Sequence, residues 1–168
     1  MKTLQGANSI DIHAPMETVW SILVDPNKLH EWAPMVLESH GDKEALDAMR
    51  HCKVELNNVI GSVVKHCIDF EAPERVSWII EEDSFGLSRL LRDFGFDFHL
   101  EALEPTRTLL VCSTFYAPRN LAGTIFNPLL FVWRFRKIRL EMLDNIKQLA
   151  EGNPEPERIF GGRQTQTV

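Results

Sequence analysis

Residues 9–34 read SIDIHAPMETVWSILVDPNKLHEWAP, and their pattern predicts an uncommon order of elements. Ile10 and Ile12 alternate with polar residues, which indicates a strand with one buried face. Pro15 can begin a helix because its missing N–H costs nothing in the first turn. The pair Asp25–Pro26 predicts a second helix start, formed by an N-cap and a first-position proline. The stretch therefore predicts a strand followed by two helices. The other strands of the sheet must come from the rest of the chain.

The composition indicates one ordinary globular domain. The chain has 168 residues and a hydrophobic fraction of 44%, which is enough for a substantial core. Its net charge of −6 argues against a protein that binds nucleic-acid phosphates, since such a protein needs a basic face. The chain contains no run of about 18 apolar residues, and residues 1–6 lack the apolar core of a signal peptide. We therefore expect a cytoplasmic protein without nucleic-acid partners or integral membrane association.

The cysteines and histidines do not have the spacing of a metal site. The three cysteines contain no CxxC pair, so they indicate neither a zinc site nor a disulfide framework. We expect small buried hydrophobes at Cys52, Cys67 and Cys112. No ligand spacing relates His13, His30, His40, His51 and His99. Without a glycine-rich phosphate loop or a nucleophile elbow either, we expect no metal and no cofactor.

The middle of the chain predicts an antiparallel sheet. Alternating runs rich in β-branched and aromatic residues predict five strands, at Met49–Leu56, Ile60–Glu71, Glu74–Asp83, Asp93–Leu103 and Thr108–Tyr116. A weaker and shorter strand is predicted at Leu37–Gly41. Short turns connect the strands, and short connections require antiparallel neighbours. With the strand near the N-terminus, the predicted sheet has six to seven strands.

Alternation assigns the side chains of these strands to two faces, which we call the inner (apolar) face and the outer (polar) face. The inner face is predicted to carry Cys52, Val54, Leu56, Val64, Ile68, Phe70, Val76, Trp78, Ile80, Phe94, Phe96, Phe98 and Leu100. The outer face is predicted to carry Lys65, Asp69, Arg75, Glu81, Asp97, His99 and Glu101. The last strand stays ambiguous, because its two faces are comparably apolar.

A long C-terminal helix is predicted to cover the inner face. Asn127 and Pro128 form a cap-and-proline start, and the helix runs to about Glu151 and stops at Gly152. A longer helix from about Leu121, kinked at the proline, is the alternative. Helical spacing forms one apolar arc from Phe131, Val132, Phe135, Ile138, Met142, Leu143, Ile146 and Leu149. The polar sequence that follows has no period and predicts a disordered tail.

Five short motifs occur in a characteristic order over residues 6–151. They are Ile10–Pro15 with Val19 and Trp20, Asp25–Pro26 with Trp32, Arg50–Cys52, Glu74–Val76, and Met142–Leu143 with Ile146–Lys147. In this order the chain resembles the helix-grip fold of the START-related SRPBCC superfamily, which includes the polyketide cyclase/dehydrase family. The resemblance implies an α+β fold with a curved antiparallel sheet around the C-terminal helix. We expect this single domain at residues 1–151 and a disordered tail at residues 152–168.

The resembled fold leaves a cavity between the sheet and the long helix, and this cavity holds lipids, sterols, polyketides or other apolar molecules. The resemblance therefore implies a hydrophobic small-molecule ligand. The bulky apolar residues of the inner face and the helix agree with it, and the candidate ligand contacts include Trp78, Phe96, Phe98, Phe135 and Met142. A solid core made of the same residues is the alternative, because large apolar residues usually pack together.

Polar residues that interrupt the apolar faces are candidates for contact with the polar end of a ligand. Arg139 lies near the centre of the helix's apolar arc. If residues 57–59 form a three-residue loop, Arg50 lies opposite His66 on the inner face. A buried guanidinium needs a carboxylate or ligand acceptors, so both arginines are predicted ligand anchors. The alternatives are an internal ion pair or a side chain that extends to solvent for Arg139, and ordinary solvent contact for Arg50.

Two of the candidate residues could do chemistry. His66 could shuttle a proton, since the unperturbed pKa of histidine is about 6.5. Tyr116 is the only tyrosine and could orient a carbonyl or an enolate. Each could equally be an ordinary hydrogen-bonded or packed residue.

These observations leave two main classes of function. The first is a binding protein that holds an apolar molecule between sheet and helix. The second is an enzyme of the polyketide cyclase/aromatase type that uses the same cavity for enolisation and loss of water. We favour binding, because the enzyme needs an acid/base set at hydrogen-bonding distance and the sequence shows single polar intrusions. A weaker third class is a protein-interaction module that uses Arg134, Arg136 and Lys137 or the tail.

Overall fold

The protein folds as a seven-stranded antiparallel sheet with helices against its inner face. The computed structural model describes residues 3–41, 45–126 and 131–152. The strands are β1 (Leu4–Ile12), β2 (Val36–Gly41), β3 (Met49–Leu56), β4 (Val59–Glu71), β5 (Arg75–Asp83), β6 (Leu91–Glu104) and β7 (Arg107–Pro118). The helices are α1 (Met16–Val24), α2 (Leu29–Trp32), α3 (Leu87–Leu90), α4 (Leu121–Phe126) and α5 (Val132–Ala150). The strand order β1-β7-β6-β5-β4-β3-β2, with α5 against the sheet, confirms the predicted α+β helix-grip fold.

The two short helices after β1 carry the chain from one edge of the sheet to the other. β1 pairs with β7 at one edge and β2 pairs with β3 at the opposite edge. Both helices pack against α5, and they bury Leu23 and Trp32. The proline-marked opening stretch therefore closes one end of the space between the sheet and α5.

The turn between β3 and β4 differs from the predicted three-residue loop. Leu56 pairs directly with Val59, so Asn57 and Asn58 alone form the turn, with φ angles of 52° and 64°. Asparagine tolerates this left-handed region better than most residues, and two such residues in succession suit a two-residue hairpin turn. The prediction of a three-residue loop is therefore wrong.

The shorter turn moves β4 by one residue against β3, and such a shift moves each side chain to the opposite face. Arg50 consequently pairs with Lys65 and not with His66. Lys65, predicted on the outer face, lies on the inner face. His66, predicted on the inner face, lies on the outer face with Glu81. Irregularities in the β4–β5 pairing return Phe70 to the inner side, where it packs on Trp20 at a centroid distance of 5.4 Å.

The end of α5 confirms the predicted helix stop. The Glu151 N–H donates to the Lys147 carbonyl and the Gly152 N–H donates to the Leu149 carbonyl. Gly152 has a φ of 73°, which glycine adopts without strain at a helix C-terminus. The predicted start at 127–128, the kink alternative and the tail beyond residue 152 lie outside the described residues.

The packing of β7 and α5 settles which of their side chains face inward. β7 buries Leu110, Cys112, Thr114 and Tyr116. The central part of the predicted helical arc is buried, whereas Val132 is exposed. All three cysteines are buried, as predicted. Over the described part of the chain, no helix has the length and apolarity needed to cross a membrane.

Candidate functional site

An apolar cavity of about 160 Å³ lies between the inner face of the sheet and the N-terminal half of α5. The sheet wall includes Cys52, Val54, Val63, Trp78, Ile80 and Phe96. The helix wall is made of Phe131, Arg134, Phe135, Ile138 and Met142. Leu29, Trp32 and Met35 close the end formed by α2 and the loop after it. The inner-face residues thus belong to the buried core and leave an apolar space beside α5.

Aromatic rings shape the interior of the cavity. Trp32 and Trp78 both meet Phe98 edge-on, at centroid distances of 5.6 Å and 5.7 Å. Such edge-to-face pairs hold rings in defined orientations. The indole Nε1 of Trp32 is buried and makes no hydrogen bond within the described part of the chain. The wall is therefore an aromatic surface that contains a buried N–H donor.

The mouth of the cavity lies between the β3–β4 turn and the first turns of α5. A groove of about 250 Å³ there is lined by the two turn asparagines, Trp133 and Lys137, and it shares Leu56 and Arg134 with the cavity. Arg134 Nη2 donates to Asn57 Oδ1 at 2.9 Å, which connects α5 to the hairpin across this opening. The groove therefore adjoins the cavity. Arg134 belongs to the mouth, while Arg136 and Lys137 of the same predicted basic stripe are exposed.

Five of the predicted ligand contacts line the cavity: Trp78, Phe96, Phe98, Phe135 and Met142. The four polar candidates do not. Each of the four has its own contacts within the fold.

Arg139 joins α5 to the β1–β7 edge of the sheet. Its side chain is 3% exposed, Nε donates to Asn8 Oδ1 at 3.0 Å, and Nη1 donates to Thr114 Oγ1 at 2.9 Å. A Cβ at Gly6 would lie 2.7 Å from Arg139 Nη2, so glycine leaves room for the guanidinium. Burial lowers the pKa of Arg139. These contacts are with neutral groups, and they fix the helix on the sheet.

Arg50 is 1% exposed and lies at the start of β3. Its Nη2 donates to the carbonyl of Val24 at 3.3 Å. Val24 is the last residue of α1. The burial of Arg50 excludes ordinary solvent contact, which was the alternative to a ligand anchor. The contact joins α1 to the sheet beside the cavity.

Tyr116 belongs to an aromatic cluster next to the cavity. Its ring lies 5.5 Å from that of Phe135 and 6.1 Å from that of Phe94. Burial raises the pKa of Tyr116 to about 12, so the hydroxyl stays protonated at neutral pH. Its ring supports two of the residues that line the cavity.

His66 is held by two carboxylates on the outer face. Its Nδ1 lies 2.9 Å from Glu81 Oε1 and its Nε2 lies 3.2 Å from Asp47 Oδ1. The hydrogen bond to Glu81, helped by that to Asp47, raises the pKa of His66. Because the imidazole is outside the cavity, it cannot transfer a proton to a molecule held there.

The raised pKa of His66 predicts a pH-dependent contribution to stability. A histidine whose pKa is higher in the folded state stabilises below its unfolded value of about 6.5 and loses this contribution as the pH rises through the folded value. We expect His66→Gln to reduce the free energy of unfolding more at about pH 5.5 than at about pH 8.5. Urea unfolding at the two pH values measures the difference. An equal reduction at both would contradict the ionic role of His66.

Lys65 is the charged residue of the sheet wall that the predicted register missed. It lines the cavity, and its Nζ lies 4.0 Å from the centroid of the Trp78 ring, which is the geometry of a cation–π contact. The signal that could have found it is the asparagine pair itself, since a two-residue turn places Val63, Lys65 and Cys67 inward. The ionisable side chains of the described cavity lining are Lys65, Arg134 and Cys52, without a carboxylate or a histidine. These side chains can donate hydrogen bonds to an acceptor group of a ligand, but they do not form an acid/base pair.

A curved antiparallel sheet closed by a C-terminal helix, with an apolar cavity between them, defines the helix-grip fold of the START-related SRPBCC superfamily. Residues 4–151 match the model of the family described as polyketide cyclase/dehydrase and lipid transport. The chain belongs to this family. No curated protein matches it.

Solved structures share this fold at low sequence identity. An aromatase/cyclase from Streptomyces sp. R1128 has a TM-score of 0.68 and 15% identity over 87% of this chain and 92% of that chain. A norcoclaurine synthase from Thalictrum flavum, in complex with dopamine and hydroxybenzaldehyde, has a TM-score of 0.68 and 10% identity over 93% of this chain and 90% of that chain. A START superfamily protein from Mycobacterium smegmatis has a TM-score of 0.63 and 15% identity over 86% of this chain and 97% of that chain. At these low sequence identities, the similarity shows a shared fold and no shared activity.

Proposed function

We propose that the protein binds an apolar small molecule, such as a lipid, a polyketide or an aromatic compound, in the cavity between the sheet and α5. The observation that carries the proposal is the apolar space of about 160 Å³ between the inner face of the sheet and α5. Protein interiors normally fill such space with side chains, because empty volume reduces stability. A volume retained among so many large side chains favours a bound molecule.

The dimensions of the site suggest the form of this molecule. An apolar cavity of about 150 Å³ holds one benzene-sized group. The adjoining groove of about 250 Å³ extends this space toward solvent past Trp133 and Arg134. The molecule therefore has a compact apolar end inside the cavity and a longer remainder in the groove.

The charge distribution supports binding over catalysis of the cyclase type. Enolisation and dehydration need an acid and a base at hydrogen-bonding distance from the substrate. Within the described lining, Lys65 and Arg134 are cationic and no carboxylate or histidine accompanies them. Neither His66 nor Tyr116 lines the cavity: His66 lies with Glu81 on the outer face, and Tyr116 packs behind the cavity residue Phe135.

Native mass spectrometry and a fluorescence titration test the proposal. Trp32 and Trp78 line the cavity, so a molecule that enters it changes their emission. We expect the purified protein to carry or to bind one apolar molecule per chain, with saturable quenching by a neutral probe such as N-phenyl-1-naphthylamine. Failure to bind any fatty acid, sterol or aromatic probe would overturn the proposal.

A further inference from the structure

We propose that the protein docks on a negatively charged lipid surface with the end of the fold at which the cavity opens. This interaction goes beyond the binding of an apolar molecule, because it uses exposed side chains around the mouth. It follows from the position of the exposed apolar residues, from the charge along α5 and from the place of both beside the opening.

Exposed apolar side chains are concentrated at the end of the sheet where the mouth lies. The β3–β4 turn is at this end, and so are the start of β1, the end of β7 and α4, which follows β7. Seven exposed large apolar side chains of the described ranges lie there: Leu4, Val59, Ile60, Leu121, Ile125, Val132 and Trp133. Single exposed apolar residues are common on protein surfaces, whereas a larger group marks an interaction site.

Three of these side chains lie directly at the mouth. Val59 and Ile60 follow the β3–β4 turn and are 58% and 60% exposed. Trp133 lines the groove from the first turn of α5 and is 64% exposed. A tryptophan ring has an apolar body and a polar N–H, and it is enriched where a bilayer meets water. A lipid surface in contact with these residues lies against the opening, so an apolar molecule can enter without crossing water.

The first half of α5 adds positive charge to this end of the fold. Arg136 and Lys137 are exposed there between Trp133 and Leu140, which is 42% exposed. These four positions have helical spacing and share one outward face. Residues 132–140 contain no acidic side chain. Exposed aromatic and aliphatic side chains beside arginine and lysine are typical of helices that lie on anionic lipid surfaces.

Acidic groups near the mouth do not cancel this charge. Glu55 lines the groove, and it is one carboxylate beside the cations Arg134, Arg136 and Lys137. Farther along the same end, acidic and basic side chains are equal in number: Glu82, Asp83 and Asp93 with Arg89, Arg92 and Arg119. This count holds whether or not individual groups are paired with each other. The net charge of −6 therefore comes from the rest of the chain, and the mouth is the end that suits an anionic surface.

A second copy of the chain suits the same surface less well. In a symmetric dimer formed through the mouth, the basic half of each α5 lies against the same half of its copy. Like charges placed opposite one another disfavour association. A bilayer with anionic head groups and an apolar interior complements both the cations and the exposed apolar side chains.

Flotation with lipid vesicles tests the proposal. The vesicles contain phosphatidylcholine alone or phosphatidylcholine with phosphatidylglycerol, and the bound fraction gives an apparent Kd for each. We expect the wild type to bind the anionic vesicles at least about tenfold more tightly than the neutral ones. We expect Trp133→Ala to weaken binding to anionic vesicles about tenfold, because the ring no longer enters the interface. Arg136→Gln should weaken binding to anionic vesicles about fivefold and leave binding to neutral vesicles unchanged.

Ile60→Ser and Leu46→Ser form a matched pair. The two side chains are isomers with exposures of 60% and 59%. Leu46 lies in the loop between β2 and β3, at the opposite end of β3 from the mouth. We expect Ile60→Ser to weaken vesicle binding about fivefold and Leu46→Ser to have no effect. Equal effects of the two substitutions would contradict docking through the mouth.

The outcomes separate this proposal from the binding of an apolar molecule. A wild type that binds neither kind of vesicle, or binds both equally, would overturn the proposal. Self-association that Trp133→Ala abolishes, without vesicle binding, would instead identify a second copy as the partner. The titration with the neutral probe is made without vesicles, so the proposed function stands or fails independently of these results.

Discussion

Val54→Phe is expected to abolish ligand binding and to leave the protein folded. Val54 is 3% exposed and lines the cavity from β3. A phenylalanine ring there extends into a space of about 160 Å³ and occupies the place of the ligand's apolar end. We expect the Kd of a neutral apolar probe to increase at least about tenfold. We also expect an unchanged or higher Tm, because the ring fills empty volume and does not displace neighbours.

Val76→Phe is the control for this prediction. Val76 is 0% exposed on the inner face of β5, and it does not line the cavity. An added ring there must displace packed neighbours, which costs about 1–3 kcal/mol. We expect this variant to have a lower Tm and, while folded, the wild-type Kd. Equal destabilisation by the two substitutions, with binding unaffected by both, would mean that the space beside Val54 is packed.

Arg139→Met is expected to destabilise the fold by about 2–3 kcal/mol without changing the preference for a ligand head group. The substitution leaves Asn8 Oδ1 and Thr114 Oγ1 without the guanidinium that donates to them. Thr114 is fully buried, so its hydroxyl has no access to solvent in place of the lost donor. Urea unfolding measures the loss.

Arg136→Met is the control for Arg139→Met. It removes a positive charge from the same helix without removing the hydrogen bonds to Asn8 and Thr114. Arg136 lies on the exposed side of the same helix, and its substitution should change the free energy of unfolding by less than about 0.5 kcal/mol. Titrations with decanoate and 1-decanol, which have the same alkyl chain length and different head groups, complete the comparison, since Arg139 does not line the cavity. A selective loss of decanoate binding in Arg139→Met would contradict the structural role and make Arg139 a ligand anchor.

Local patterns in the sequence were sufficient to predict the architecture. The alternation of Ile10 and Ile12, the proline-marked helix starts and the stop at Gly152 each depend on a few neighbouring residues. The strands on either side of these elements follow from alternation in the same way. These signals determine the order of the helices and strands along the chain. In an antiparallel sheet with short turns, this order largely determines which strands pair with each other.

The length of the β3–β4 turn decides which polar side chain of β4 faces the cavity. The alternation of apolar and polar residues does not specify that length. Residues 57–59 permit a two-residue or a three-residue connection. The choice depends on whether Asn57 and Asn58 both adopt positive φ, as they do here. One residue of difference exchanges Lys65 for His66 on the inner face. Lysine at an alternating position is typical of a solvent-exposed face, so the pattern gave no reason to expect it inside.

The partners of Arg139 could not be predicted because they come from distant parts of the chain. The helical arc correctly places Arg139 among buried residues. Whether it faces the cavity or the β1–β7 edge depends on where α5 crosses the sheet. That position is set by packing of α5 on β1, α1 and α2, which no local pattern encodes. Asn8 and Thr114 therefore become visible as its acceptors only in the folded chain.

The most direct test of a ligand between sheet and helix is to locate it by intermolecular nuclear Overhauser effects. The protein would carry labelled methyl groups and the ligand, decanoic acid, would be unlabelled. We expect contacts from the alkyl chain to Val54, Val63 and Met142, which line the cavity, and none to Val76, which does not. Contacts confined to exposed apolar residues such as Leu103 would contradict the proposed site.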